Sequence, residues 1–298
     1  MLNRLAGSVH RVGAAVERTD VVARLLDVHL ARRDPSSGPE EQDVGRALRT
    51  VVEASDAPET DPSAATTLEA LALDRHEPAS IAAAVAVARD DARRAREVVS
   101  SELWDCLNAT RSRLPRRIAG DRAHEFLGWV RERSALAIGV VDGDVSRDEV
   151  WEFFTLGRSL ARLTVTARML ASDLLDPGSL RSWSTALRAC GAGEAFHRDH
   201  RHGPTVDDAA AFLLLDEHSP RSLVFLARRT EACLSDLVAD ELDDEVQAFR
   251  RVLAGLEAVR PAAAAGATRD AGSLVAGAAA RVTAALDARV FAAPEPIR

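Results

Sequence analysis

The sequence predicts an all-α protein, a helical bundle built from two pseudo-repeated halves that share one core. Its composition favours helices, because hydrophobic residues, mainly Ala, Leu and Val, make up 47% of the chain and aromatic residues only 4%. Apolar residues recur at steps of three and four, and no segment shows the alternating pattern of a strand. Two blocks of sequence also occur twice in the same order, which indicates an internal duplication.

The first duplicated block spans residues 71–81 and returns at residues 213–223. Both copies contain the motif Asp-x-His-x-Pro-x-Ser, which begins at Asp74 in the first copy and at Asp216 in the second. We interpret the motif as a turn followed by a helix start, with proline at the first helical position, where its missing N–H is not needed. The residue before the proline would then cap the helix, and in the second copy that residue is Ser219.

The second duplicated block lies upstream, where residues 12–26 resemble residues 156–170. Because the two blocks follow each other in the same order, they divide the chain into halves of about 1–141 and 142–298. The only expected link between the halves is a short Asp142-Gly143-Asp144 turn, so we expect one domain over all 298 residues.

In the first half, the apolar face of residues 1–32 predicts one long helix, which the turn-forming residues from Asp34 to Pro39 would end. The further helices expected in this half lie near 41–54, after a capping box at Thr66 and Glu69, from Pro78 as far as Asn108, and over 121–140.

In the second half, Ser146 and Glu149 have capping-box spacing and predict the start of another long helix. The further helices expected there lie near 177–189, 205–215, 219–239, 241–258 and 268–290.

The composition excludes several classes of function. A net charge of −8 argues against a nucleic-acid partner, because phosphate binding needs a concentrated basic surface. All 38 basic residues are arginine, which excludes mechanisms that need a lysine amine. The three cysteines lack paired spacing and no stretch approaches a membrane span, so we expect a cytoplasmic protein without a membrane partner or a cofactor.

The best candidate for a functional site lies in the first copy of the upstream block. Glu17 shares one stripe of the predicted helix with Asp20 and Arg24, whereas the adjacent Arg18 points about 100° away from it. Glu17 is the candidate catalytic residue, and its charged neighbours are candidate binding residues.

The second copy keeps the arginines of this cluster but not its acids. Arg162 and Arg168 align with the two arginines of the first copy, whereas Ala161 and Thr164 replace the two acids. Either the arginines tie helices together through carboxylates, which we favour, or they meet near a pseudo-twofold axis and bind an anionic group. In the second case Glu17 would act as acid, base or orienting group, on a cavity that solvent can reach.

A cluster of histidines is a candidate metal site, because His197, His200 and His202 lie within six residues. Two of them could share a helix face, but the third could not, and Arg198 and Arg201 add repelling charge. We therefore favour a solvated helix end and expect no metal.

Several short motifs along the chain occur in an order that resembles the bacterial alpha-E domain family, which is all-helical and named for a Glu-Arg motif. The motifs are Glu17-Arg18, Arg24-Leu25-Leu26-Asp27, Pro78-Ala79-Ser80-Ile81, Ala88-Arg89-Asp90-Asp91, Ser101-Glu102-Leu103-Trp104, Arg147-Asp148-Glu149-Val150-Trp151 and Phe212-Leu213-Leu214-Leu215-Asp216. The resemblance extends to about residue 240, and it departs at Ala161-Arg162, where the family has a second Glu-Arg.

The resemblance implies a context rather than a reaction. Such proteins are typically encoded beside, or fused to, an ATP-grasp-type peptide ligase, often together with a transglutaminase-like protein. We therefore expect a non-catalytic helical accessory protein of an ATP-grasp-type amide ligase system. The alternative is an enzyme, or an anion- or peptide-binding protein, that uses the cluster of Glu17 and the arginines between the two halves.

Overall fold

A computed structural model describes residues 1–31, 38–54, 64–238 and 241–292. Within these ranges the chain is helical and contains no strand, which confirms the all-α prediction. None of the described helices is long and apolar enough to cross a membrane. The expected turn from Asp34 to Pro39 falls largely outside the described residues.

Thirteen α-helices are described. They are α1 (Asn3–Ala31), α2 (Gly38–Val51), α3 (Ala64–Leu73), α4 (Ile81–Arg94), α5 (Ser101–Arg113), α6 (Ala123–Asp144), α7 (Glu149–Ala171), α8 (Leu180–Cys190), α9 (Gly193–Asp199), α10 (Val206–Leu215), α11 (Leu223–Val238), α12 (Asp243–Glu257) and α13 (Ala264–Ala285).

Three details of the predicted helices are wrong. The helix expected from Pro78 to Asn108 is two helices, because Ser100 caps α5 by accepting a hydrogen bond from the backbone N–H of Leu103 at 3.2 Å. The expected Asp142-Gly143-Asp144 turn is the last turn of α6. The helix α3 begins at Ala64, two residues before the expected capping box.

The cap of α7 also differs from the prediction. Asp148, not Ser146, is the N-cap, and its Oδ1 accepts from the backbone N–H of Val150 at 2.9 Å and of Trp151 at 3.4 Å. A carboxylate at this position satisfies two free N–H groups and complements the positive end of the helix dipole, so it outcompetes the more distant serine.

The duplicated motif is a turn followed by a helix start, but its last serine is the cap. Ser80 Oγ accepts from Ala83 N at 3.0 Å, and Ser222 Oγ accepts from Phe225 N at 3.1 Å. Each hydroxyl also donates to the carbonyl of the aspartate that opens its motif. Since the serine satisfies the free N–H of the first turn, the proline stays two residues ahead of the cap, and Ser219 is not the cap.

The helices α1 and α7 form the centre of the molecule. Most of α1 is buried from Leu5 to His29, on all sides rather than on the single apolar face that the sequence predicts. It packs against α4, α6, α7 and α8, and α7 in turn packs against α11 and α13. Side chains on both central helices are therefore positioned by neighbours on several sides.

Two glycines allow these central helices to touch through their backbones. A Cβ atom added to Gly13 would lie 2.1 Å from the carbonyl oxygen of Phe154, and one added to Gly157 would lie 2.0 Å from the carbonyl oxygen of His10. The contacts are reciprocal, because each carbonyl belongs to the residue three positions before the opposite glycine. Only glycine fits at either position, since the obstacle is backbone that no rotamer change can move.

We expect Gly13→Ala and Gly157→Ala each to lower the free energy of unfolding by at least about 2 kcal/mol, because the new methyl group must push the two helices apart. Equilibrium urea denaturation measures the change. The matched control is Gly139→Ala, an exposed site in α6 with no atom within 4 Å of the added Cβ. That control should gain up to about 1 kcal/mol from helix propensity, and equal losses at all three sites would contradict the close crossing.

Candidate functional site

Glu17 lies on α1 one turn after the glycine crossing and has no exposed surface. Arg162 of α7 holds both of its oxygens, with Nε 2.5 Å from Oε1 and Nη2 2.8 Å from Oε2. Arg158, one turn earlier on α7, places its Nε 3.5 Å from Oε2. We call Glu17, Arg158 and Arg162 the closed cluster, because two arginines surround the carboxylate and exclude solvent from it.

Arg162 joins this cluster to the second copy of the duplicated motif. Its remaining nitrogen, Nη1, donates to the carbonyl oxygen of Pro220 at 3.1 Å. Burial alone would lower the pKa of this guanidinium, but the charge and hydrogen bonds of Glu17 outweigh it, so the pKa is raised. A single side chain thus connects α1, α7 and the turn before α11.

Asp20 and Arg24 extend the closed cluster along α1. Arg24 Nε donates to Asp20 Oδ2 at 2.9 Å, and Arg221 Nη1 approaches the same oxygen at 3.3 Å. Burial raises the pKa of Asp20, but the hydrogen bond from Arg24 and the charges of the surrounding arginines hold it below its usual value. The guanidinium of Arg24 lies against Gly191, where a Cβ would meet Nη1 at 2.7 Å.

Arg18 aligns with Arg162 but has different surroundings. Its Nη1 donates to the carbonyl oxygen of Pro78 at 3.4 Å, in the first copy of the motif, as Arg162 does to Pro220 in the second. Among the described residues no carboxylate lies within ion-pair distance of Arg18. Burial lowers its pKa, and Glu53 only partly opposes that effect.

Arg168 aligns with Arg24 but pairs with Glu53, the second residue after α2. Glu53 has φ of 57°, in the left-handed region that glycine favours, and its N–H bonds to Thr50 O while that of Ala54 bonds to Arg49 O. This is a Schellman motif with glutamate where glycine is usual. The hydrogen bond from Arg168 lowers the pKa of Glu53.

A cavity of about 350 Å³ lies between α1, α7 and α13 on this side of the crossing. Its polar lining consists of His10, Arg18, Glu53, Thr164, Arg168, Thr283 and Asp287. Ala161, which aligns with Glu17, is also part of the wall. We call this space the Arg18 cavity.

His10 is a buried side chain of the Arg18 cavity whose two ring nitrogens have no hydrogen-bond partner. Its ring packs on Phe291 at a centroid distance of 5.0 Å. Burial, assisted by the charge of Arg11, lowers the pKa of His10 from 6.5 to about 4, so the ring is neutral near pH 7.

Comparison with known families identifies the family of the chain. One family model matches residues 1–290, and its description is a predicted alpha-helical domain with a conserved ER motif. The chain belongs to the Alpha-E family. No curated protein and no solved structure matched in the two other comparisons.

The predicted site residues of this Alpha-E protein fall on two sides of the helix crossing. Glu17, Arg162, Asp20 and Arg24 belong to the closed cluster or border it, whereas Arg18 and Arg168 line the Arg18 cavity, where no acid aligned with Glu17 exists. The sequence prediction missed the four residues Arg158, Arg221, Glu53 and His10. Arg158 aligns with Ala14 and Arg221 with Ala79, so the comparison of the two copies could have shown that these arginines occur in one half only. Nothing in the sequence points to Glu53 or His10.

The three candidate metal ligands of the Alpha-E chain are not assembled into a site. His200 stacks on Phe196 at 4.5 Å, and its Nδ1 lies 3.2 Å from the carbonyl oxygen of that residue. His197 and His202 are exposed at the end of α9 and beyond it. In the part of the chain that the structure describes, no group of three or more His, Cys, Asp or Glu side chains could hold a metal ion.

We expect Glu17→Gln to lower the free energy of unfolding by about 3–5 kcal/mol, because it leaves the buried Arg162 and the half-buried Arg158 without a counter-charge. The double variant Glu17→Leu with Arg162→Met also removes the most buried arginine and should recover part of this loss, because only Arg158 then lacks its counter-charge. Urea denaturation of both variants measures the difference. The control is Glu97→Gln, which breaks the exposed Arg4–Glu97 pair and should have no measurable effect. A single variant as stable as the control would show that the closed cluster does not hold α1 to α7.

The buried neutral His10 also predicts a pH dependence of stability. Its pKa is lower in the folded state than in the unfolded state, so the unfolded chain binds the extra proton, and stability falls as the pH drops from 6.5 to about 4. The loss reaches at most about 1.4 kcal/mol per pH unit. His10→Phe should flatten this part of the stability profile when unfolding is measured at several pH values. An unchanged slope in the variant would assign the acid sensitivity to other groups.

Proposed function

We propose that this Alpha-E protein is a non-catalytic helical accessory protein of a bacterial ATP-grasp-type amide ligase system, where it docks the ligase or presents a peptide. The observation that carries the proposal is the state of Glu17. Its two oxygens are held by Arg162, and the side chain has no exposed surface. A carboxylate in that position links α1 to α7, and neither of its oxygens is accessible to a substrate.

The ligase context rests on the family resemblance. Members of the family are typically encoded beside, or fused to, an ATP-grasp-type ligase, often with a transglutaminase-like protein. A cytoplasmic location would suit such a partner, because ATP is available there. The role proposed for this chain is to support peptide synthesis or modification by that ligase.

We further propose that one domain of two pseudo-repeated halves provides the scaffold. The reciprocal contacts of Gly13 and Gly157 support this arrangement, as do the matched hydrogen bonds of the two Asp-x-His-x-Pro-x-Ser turns. The bonds from Arg18 to Pro78 and from Arg162 to Pro220 repeat the same connection on both sides.

The alternative is an enzyme, or an anion- or peptide-binding protein, that uses Glu17 with the arginines. The closed cluster does not favour the enzyme, because general acid–base chemistry needs the carboxylate within reach of a substrate proton. The Arg18 cavity favours the binding alternative, because Arg18 lines it and forms no ion pair with any described residue.

Co-expression with the ATP-grasp-type protein encoded beside this chain tests the accessory role. We expect the two proteins to elute together in size-exclusion chromatography, and we expect the chain to increase ADP release by the ligase in the presence of an amino-acid mixture. The variant with Glu17→Leu and Arg162→Met lacks the carboxylate, and where urea denaturation shows that it is folded, it should support the ligase within about twofold of the unaltered chain.

Two outcomes would count against the proposal. Separate elution with unchanged ADP release would remove the ligase as the partner. Loss of stimulation in the folded double variant, with complex formation retained, would instead assign the Glu17–Arg162 pair a part in the chemistry.

A further inference from the structure

Arg18 and Arg162 occupy aligned positions on the two sides of the α1–α7 crossing, but they have different hydrogen-bond partners. Arg162 uses Nη1 to bind the carbonyl of Pro220 and uses Nε and Nη2 to bind the carboxylate of Glu17. Arg18 uses Nη1 to bind the carbonyl of Pro78. Its Nε and Nη2, the edge that grips a carboxylate in Arg162, have no partner among the described residues. The counterpart of Glu17 on this side is Ala161.

The space beside Arg18 is large enough for a ligand. The cavity measures about 350 Å³, within the usual range of 300–1,000 Å³ for small-molecule sites, and Ala161 forms part of its wall. A side chain the size of glutamate at position 161 would project toward this space, as Glu17 projects toward Arg162. With alanine there, a carboxylate from outside the chain can take the equivalent place.

A second observation independently indicates a ligand in this cavity. His10 is only 6% exposed, yet neither of its ring nitrogens has a hydrogen-bond partner. Leaving a buried polar group without a partner is unfavourable, because the group gives up its hydrogen bonds to water and receives none in return. A ligand that places a polar group near the ring would remove this cost.

The charges of the cavity favour an anionic group at one point and a cationic group at another. Arg168 is already paired with Glu53, whereas Arg18 is only partly compensated by the charge of that carboxylate and forms no ion pair with any described residue. Asp287, on the turn after α13, lines the same cavity and adds a negative charge. An α-amino acid, or the terminal residue of a short peptide, has a carboxylate and an N–H donor close together, which matches this arrangement.

We propose that the Arg18 cavity binds the α-carboxylate of a free amino acid or of a short peptide, with Nε and Nη2 of Arg18 as its bidentate partner. The ligand carboxylate takes the position that Glu17 occupies against Arg162, and the ligand nitrogen lies toward His10 or Asp287. This site does not require the ligase partner, so it stands even where that partnership fails.

The test uses the isolated full chain and isothermal titration calorimetry. The probes are glycine, diglycine, glycinamide and inorganic phosphate at one pH and ionic strength. Glycine or diglycine should bind saturably, and the stronger of the two identifies a free amino acid or a peptide as the source of the carboxylate. Glycinamide lacks the carboxylate and should bind at least tenfold more weakly. Binding of phosphate alone, or equal binding of glycinamide, would overturn the proposal.

Two variants tie the binding to the proposed atoms. Arg18→Met keeps the length of the side chain without the charge and should weaken glycine or diglycine binding at least tenfold. Ala161→Glu supplies the carboxylate from within and should abolish binding. Binding that survives in both variants would place the ligand elsewhere.

Stability gives a readout that does not depend on the ligand. Ala161→Glu should raise the folding equilibrium constant at least tenfold over Ala161→Gln, which has the same length but no charge to pair with Arg18. Equal stability of the two variants in urea denaturation would show that a carboxylate at this position does not meet Arg18, and the proposal would fail even if the probes bound.

Discussion

The contact between the backbones of α1 and α7 is the constraint on which the rest of the structure depends. Gly13 lies against the carbonyl of Phe154, and Gly157 lies against the carbonyl of His10. At this separation the residues one turn further along each helix are buried in the crossing, so any charge they have must be neutralised within the protein. The contact also fixes the positions of Arg18 and Arg162 relative to the turns at Pro78 and Pro220, which these arginines contact.

Different carboxylates neutralise the arginines on the two sides of the crossing. On one side Glu17 neutralises Arg162, and the cost of desolvating the two buried charges offsets much of the attraction between them. On the other side Glu53 neutralises Arg168 from outside the central pair, and it does so with a backbone conformation that costs an L-residue about 1–2 kcal/mol. Glycine would relieve that strain but would leave Arg168 unpaired, which explains why glutamate is found there.

The sequence predicts the helices better than it predicts the site, for physical reasons. The long helix over residues 1–32 has a strong periodic pattern, and α1 is observed at Asn3–Ala31. The first residue of a helix is harder to predict, because Asp148, Ser146 and Ser219 all belong to residue types that cap helices well. Only the conformation of the folded turn determines which of these oxygens reaches a free N–H. Partners are hardest of all: Glu53 meets Arg168 across 115 positions, and no periodicity within either segment encodes that meeting.

The absence of lysine has a structural counterpart at the centre of the fold. Arg162 makes three directed hydrogen bonds from three different nitrogens, two to Glu17 and one to Pro220, so one rigid plane determines the angle between α1, α7 and the turn before α11. A lysine ammonium is a compact charge on a flexible stem and could not hold both partners in fixed directions. The same plane recurs in Arg18 with its carbonyl contact preserved. The turn at Pro78 therefore orients the guanidinium of Arg18 before any ligand binds. A carboxylate that enters the Arg18 cavity would meet two N–H donors whose direction is already set. Such preorganisation lowers the entropy cost of binding a small ligand.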